Sequence, residues 1–344
     1  IGIAMDQAED PEKIAVTFQI AQPQAFVSES SAVKPFFNIT KTAEDLAGAR
    51  NQLARSINWV PTLEQCQVIL IGEDLAREGL KKYMDFVLRT HEVRRWLQIG
   101  IVQGKAMDIL DMDFKSGLAS SFVISEMMTQ SSKNNFRATD YMDVGNLHVA
   151  FVENFDFILS RIILEENGLN MSGGAVFRDF RLVGWLSGED LIGARFLRGD
   201  ATTGYLTVDT PSDLGTKIML RVYETRSDLQ PEIRDGRLYA VLHLRLEGDI
   251  DEIVNPKKGW TSEELISKGG NLFEDYVKDV VTKSFNKANH EFESDPFRLK
   301  EKVKSYYPEF WKENEENWDE IYQSAVLEIQ IEVQIRRVGE TRSS

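Results

Sequence analysis

The chain has 344 residues, with 55 acidic and 40 basic side chains and a formal net charge of −15. That balance excludes two charge-driven functions: sequence-independent nucleic-acid binding, which neutralises phosphates with Lys and Arg, and polybasic attachment to anionic lipid. No run of about 18 apolar residues marks a membrane-spanning helix, and a hydrophobic content of 42% is ample for two or three packed domains.

The first residue is Ile1, which reads as a chain whose leader has been removed. IGIAM and KIAVTFQIA are apolar runs separated by DQAEDPE, and the second alternates Ile14, Val16, Phe18 and Ile20, so a hairpin with a solvated acidic loop is expected. After a polar stretch, TAEDLAGARNQLARSI places Leu46, Ala49, Leu53 and Ile57 on one helical face, with Thr42 as its N-cap. CQVILIG reads as a strand buried on both faces. It contains Cys66, whose solitude excludes an intrachain disulfide and whose surroundings predict an inert thiol. EDLAREGLKKYMDFVLR reads as one helix, LQIGIV as a strand and GKAMDIL as a short helix. Alternation of strand and helix predicts parallel neighbours joined by right-handed crossovers.

LASSFVISEMMTQ has a helical pattern, DVGNLHVAFVENF reads as a second helix or a helix–strand pair, and FILSRIIL fits a strand or a buried helix equally well. MSGGAVFRDFRLVGWL begins a strand. SGEDLIGARFLRGD is a capped helix, with Ser187 at the N-cap, Asp190 three residues on and Gly199 just past the end. GYLTVD, KIMLRVYE and RLYAVLHLRLEGDI then alternate as strands, and TSEELISKGGNLFEDYVKDVVTKSFNKAN is a long amphipathic helix. Gly269 and Gly270 either kink that helix or let another element come close. DPFRLKEKVKSYYP is a second helix, opened by Asp295–Pro296 and closed before Pro308. AVLEIQIEVQIRRVG ends the chain as a long strand whose partners are expected among the alternating strands of 205–250, with helix 262–289 on its apolar face. The fold class is thus α+β, a mixed α/β chain of three domains, each a sheet with flanking helices. Residues 1–112 form an N-terminal α/β domain, 113–200 a middle α+β domain, and 201–344 a C-terminal α+β domain with an antiparallel-rich sheet and a long helix.

Chemistry-bearing patterns are sparse. His91, His148, His243 and His290 stand apart, with no partner at a metal-ligand spacing. No nucleophile elbow, phosphate-binding loop or dinucleotide fingerprint follows a strand. RGD at Arg198–Asp200 reads as a helix end with its glycine cap. The acidic clusters at Glu9–Glu12 and Glu313–Glu320 read as solvated surface. No catalytic, cofactor or metal residue is assigned. Two features are candidates for partner contact. Arg89 and Arg94 belong to an arginine-rich segment, VLRTHEVRRW, that can hold phosphate or carboxylate but defaults to ion pairs. Trp311 and Trp318, seven apart, would share one face of a single helix, with core packing as the bland reading.

Several blocks together resemble the Ger(x)C family, the C subunits of spore nutrient-germinant receptors, and among them the B-type receptors' subunits. These blocks are the opening IGIAMD with KIAVTFQIAQP; the run from FFNITKTAEDLAGARNQLARSINWV through GEDLAREGLKKYMDFVLRTHEVRRW; GGAVFRDFRLVGWLSGED; and the ending EFWKENEENWDEIYQSAVLEIQIEVQIRRVG. The resemblance covers nearly the whole chain. It implies a fold of three α/β domains, no enzymatic activity and no cofactor. It also implies an exported lipoprotein, diacylated on a cysteine upstream of Ile1 and held on the outer face of the inner spore membrane beside integral-membrane A and B subunits. The lipid-bearing cysteine is not in this sequence, and Cys66, inside a strand, does not replace it. A covalent anchor suits a chain whose own charge is repelled by anionic lipid. The competing readings are an extracytoplasmic solute-binding protein, which needs two similar lobes and a polar cleft, and a wall hydrolase, which needs paired carboxylates or a metal.

Overall fold

The computed structural model describes residues 1–22, 35–57, 62–139, 142–166, 168–210, 217–254 and 261–338. The chain divides into two compact units, Ile1–Ser131 with Thr139–Trp185, and Ser132–Ala138 with Leu186–Ser344.

The first unit is a nine-stranded sheet. Strands β1 (Gly2–Gln7) and β2 (Ile14–Ala21) form the expected antiparallel hairpin. β2 then pairs with β3 (Phe36–Ala43), an antiparallel edge strand in the stretch read as merely polar. Thr42 belongs to that strand, so helix α1 (Leu46–Ala54) is capped by Asp45, which accepts from the Gly48 N–H. β4 (Val68–Gly72) lies parallel between β1 and β5 (Gln98–Val102), and both strands are buried throughout, as parallel strands covered on two faces must be. The segment read as one helix is two, α2 (Glu73–Glu78) and α3 (Lys81–Arg89). Gly79 separates them at φ 126°, a conformation an L side chain resists.

Helices α4 (Ala106–Leu110), α5 (Ser120–Ser131) and α6 (Val144–Glu153) follow. The ambiguous FILSRIIL is strand β6 (Phe157–Glu165), parallel to β5. β7 (Gly168–Asn170) pairs with β6, and β8 (Gly174–Arg178) and β9 (Arg181–Leu186) extend the sheet. Asp179 and Phe180 join β8 to β9 at φ 48° and 64°. This two-residue turn is costly for a phenylalanine, but Phe180 is held by ring contacts to Phe151 and Phe157, with centroids 4.1 and 5.8 Å away. Ile69, Ile71, Ile99 and Ile101 face the core under α1, α2, α3 and α6; Ala4, Val68, Leu70 and Ile162 face α4 and α5.

The second unit is a four-stranded sheet in the order β10 (Gly204–Asp209), β11 (Lys217–Arg234), β12 (Arg237–Val254), β13 (Val326–Val338). Asp235 and Gly236, both at positive φ, make the tight β11–β12 turn. The final strand lies on β12 as expected, but runs parallel to it. Gly339, the end of the alternating stretch, lies outside the described residues. Helix α7 (Gly188–Arg198) carries the predicted capping box, Ser187 with Asp190, and Gly199 ends it at φ 73°. α8 (Ser262–Asn286) runs through Gly269 and Gly270 without a break, and a Cβ on Gly270 would stand 3.4 Å from the Val333 carbonyl oxygen. The glycines therefore serve close approach to β13. α9 (Leu299–Tyr306) starts where the Asp295 carboxylate accepts from the Leu299 and Lys300 N–H groups. The described strands build two sheets, and β6, β8 and β9 join the N-terminal one through β5.

Candidate interaction surfaces

Arg89 and Arg94 lie in the first unit. Arg89 ends α3 and is paired to Asp85 one turn earlier, at 2.7 Å. Beyond it, Val93 and Leu97 insert into the core, which forces the intervening Arg94, Arg95 and Trp96 outward. Hydrogen bonds hold the turn in place: Leu97 N–H to the Arg94 carbonyl (3.1 Å), Gly145 N–H to the Arg95 carbonyl (2.8 Å) and Val144 N–H to the Leu97 carbonyl (2.9 Å). The Arg94 guanidinium lies 5.2 Å from the Trp96 ring centre, and Trp96 is 64% exposed. Trp96 was not singled out in sequence, although its place between two arginines and a buried leucine was the available signal. A solvent-facing tryptophan stacked by a cation is an unusual expense of apolar surface, and such residues carry much of the energy of protein interfaces.

Trp311 and Trp318 belong to the second unit and do not share one helix. Trp311 is in α10 (Pro308–Asn314) and Trp318 opens α11 (Trp318–Gln323), with a 3-10 turn at Glu315–Asn317 between them. The rings nevertheless meet, with centroids 5.5 Å apart, and both are buried. Trp318 also stacks on Tyr322, whose hydroxyl donates to the Ser294 carbonyl at 3.1 Å, and Lys304 covers Trp311 at 4.5 Å. This cluster is the core of the C-terminal helical segment.

The polar face of the second sheet carries cross-strand ion pairs. Arg336 grips Glu247 at 2.7 and 3.0 Å, Arg234 bridges Glu232 and Glu328, and Arg245 lies 3.8 Å from Glu332. The Arg336 hydrogen bonds hold the Glu247 carboxyl below its ordinary range. Asp200 of the RGD triplet accepts from Arg195 at 3.2 Å and forms an ion pair with Arg198 at 3.0 Å, which ties it to the helix end.

Asp6 and Gln19, buried polar side chains of the first unit, are engaged in structural bonds. Burial raises the Asp6 carboxyl, against N–H donation from Ala106 (2.7 Å) and Met107 (2.9 Å). Gln19, fully buried, donates to the Leu110 carbonyl and Ser120 Oγ and accepts from the Ser121 N–H. Asp6 pins the start of α4 to the sheet, and Gln19 pins the α4–α5 connection. Burial pushes the Cys66 thiol up to about 12, so it is neutral and unreactive at ordinary pH. Cys66 caps a short 3-10 turn just before β4, not inside the strand. Among the described residues no three His, Cys, Asp or Glu side chains gather as a metal site, and no helix is long and apolar enough to cross a membrane.

Two family models cover the chain: the spore germination protein N-terminal domain over residues 1–164, and the spore germination B3/GerAC-like C-terminal domain over residues 172–339. The chain belongs to the spore germination B3/GerAC-like family. Spore germination protein B3 of Bacillus subtilis (strain 168) is 22% identical over 345 residues, covering 98% of this chain and 90% of the relative. Spore germination protein A3 of the same organism is 23% identical, with the same coverage of both chains. The crystal structure of the GerBC protein matches 97% of this chain and 96% of its own, with a TM-score of 0.66 at 19% identity. The mixed α/β fold of this family member is therefore shared with a solved structure.

Proposed function

We propose that this family member is the non-catalytic C subunit of a spore germinant receptor, needed for nutrient-triggered germination through protein–protein contacts. It is held on the outer face of the inner spore membrane by a lipid anchor upstream of Ile1, beside integral-membrane A and B subunits. Family membership along both halves of the chain is the observation that carries this reading. Two further features support it. Buried Asp6 and Gln19 of the first unit are engaged in holding loops, and the exposed Arg94–Trp96 stack is surface suited to contact. Arg89 and Arg94 are the partner-contact side chains of this reading, and buried Trp311 and Trp318 act by shaping the surface above them. The solute-binding alternative predicts two similar lobes, whereas one unit is a nine-stranded sheet and the other a four-stranded one.

The test is germination of spores carrying Arg89→Ala, Arg94→Ala or Trp96→Ala, read against the abundance of this chain and its co-purification with the A and B subunits. Normal abundance with lost response and lost co-purification is expected. Full co-purification and full response in all three variants would remove the proposed surface, and release from the membrane unchanged by loss of an upstream cysteine would remove the anchor.

A further inference from the structure

In the first unit a hollow of about 590 Å³ opens between the end of α3, the 89–96 turn and the start of α6. Its floor is apolar, including Val87 and Val144, and its walls carry Arg89, His91, Arg95 and His148. Among the described residues lining it none is acidic, in a chain where acids outnumber bases 55 to 40. The neighbouring carboxylates are turned elsewhere. Asp85 pairs with Arg89 on the outer side of α3, Glu92 pairs with Arg50 at 2.7 Å, and Asp143 caps α6 by accepting from the Asn146 N–H at 2.8 Å. Arg95 has no ion-pair partner among the described residues, and neither histidine makes a side-chain hydrogen bond there. The backbone explains why these side chains converge. The Arg95 carbonyl is fixed by the Gly145 N–H, and His148 lies one turn further along α6, on the side that Val144 presents to the same hollow.

We propose that this hollow binds a small oxyanion, a phosphate or a carboxylate, with Arg95 and His148 as its principal donors and Arg89 and His91 at the rim. A guanidinium offers a planar fork suited to two oxygens of such a group, and an imidazole supplies an N–H donor in either charge state. The volume falls in the range of small-molecule sites, and the apolar floor accommodates the carbon part of an organic anion. The site goes beyond the receptor reading above and does not depend on it. The same chemistry reaches the protein from two sources, a free anion or a lipid headgroup.

Calorimetric titration of the 344-residue chain with inorganic phosphate, at constant ionic strength and against sodium chloride, tests the site. Saturable binding is expected, weakened on the order of tenfold by Arg95→Ala and by His148→Ala, the loss of one charge-assisted hydrogen bond. It should be retained in part by Arg95→Lys and left unchanged by Arg226→Ala in the other unit. Thermal melts of each variant establish that it folds; Arg95 is exposed, so its removal leaves the core intact. Flotation with phosphatidylglycerol and phosphatidylcholine vesicles separates the sources. Phosphate binding without vesicle retention supports a free anion. Retention on phosphatidylglycerol alone, lost in Arg95→Ala, supports a headgroup. Neither saturable phosphate binding nor such retention, or binding indifferent to Arg95→Ala, overturns the proposal.

Discussion

Replacing Arg195 by alanine should be among the most damaging single changes in the second unit. The residue is 2% exposed, and its guanidinium donates to four acceptors: the carbonyls of Asn135, Ala138 and Asp200, each at 2.9 Å, and the Asp200 carboxylate at 3.2 Å. Two of those carbonyls belong to the segment Ser132–Ala138, which is distant in sequence from the rest of its unit. Alanine leaves the carbonyls without their donor, and a stranded buried polar group costs about 1–3 kcal/mol. Asp200 keeps Arg198 at 3.0 Å, so its charge is not orphaned. Partial rehydration of the carbonyls brings the sum to roughly 3–5 kcal/mol, the same scale as removing one member of a buried ion pair. That is a large share of a typical stability of about 5–15 kcal/mol. At about 2–4 °C per kcal/mol for a unit of this size, its melting transition should fall by roughly 10 °C. Scanning calorimetry reads this directly. Arg195→Lys should recover less than half the loss, because one ammonium cannot span four acceptors. A loss below about 1 kcal/mol in the alanine variant, or a lysine variant equal to wild type, would refute the reasoning.

Gly193→Ala should separate α7 from α8, since a Cβ there would stand 2.6 Å from the Val280 carbonyl carbon; a loss of about 1–3 kcal/mol in urea unfolding is expected. Cys66 should resist a thiol reagent in the native chain and react as one equivalent in denaturant; rapid native reaction would contradict its burial. Asp190 is partly buried, which raises its carboxyl, but hydrogen bonds from Lys287 (2.9 Å) and Ser187 (3.0 Å) outweigh this and hold it below 3.8. A depressed acid stabilises the fold above its unfolded pKa and loses that contribution as pH falls through its folded one. Asp190→Asn should therefore cost about 1–2 kcal/mol at neutral pH, with the deficit narrowing below pH 3.8 in denaturation series; a deficit that grows on acidification would reverse the sign.

Local chemistry was legible wherever one element contained its own signal. Ser187, Asp190 and Gly199 mark both ends of α7, and Ile14 to Ile20 alternate because one face of β2 is buried. What failed needed a partner to be visible. The Phe36–Ala43 strand is mostly half-buried, so its period carries little hydrophobic contrast until β2 supplies the hydrogen bonds. The direction of β13 cannot be read from alternation, which is the same for parallel and antiparallel neighbours. Gly79 divides a continuous helical pattern because its φ, not its polarity, stops the helix. Arg89 and Arg94 were read as a group in sequence, whereas the hollow is completed by His148, more than fifty residues away, brought in by the packing of α6 on α3.

The distribution of charge decides which surface of the chain offers cations to a partner. On the second sheet the arginines of the polar face that are described in ion pairs each have an acid on the same or the next strand, as Arg336 with Glu247 and Arg234 with Glu232. Such pairs are exposed and contribute little to stability, but they offset charge locally, which weakens the field an approaching anion meets there. The outer edge of β13 is blunted as well, since the Val333 N–H donates to Glu274 of α8 at 3.2 Å. Around residues 89–96 the acids are drawn away to Arg50, to Arg89 and to the cap of α6, leaving Arg94 on Trp96 and Arg95 beside the hollow without a carboxylate. In a chain of net charge −15, that is a local reversal of sign held in place by buried Val93 and Leu97. Moving one acid into it, as in Thr90→Glu, should therefore suppress oxyanion binding while leaving the melting temperature within a degree or two, because nothing in the core changes. Phosphate titration and a thermal melt on the same sample check both halves; unchanged binding would show that the reversal of sign does no work.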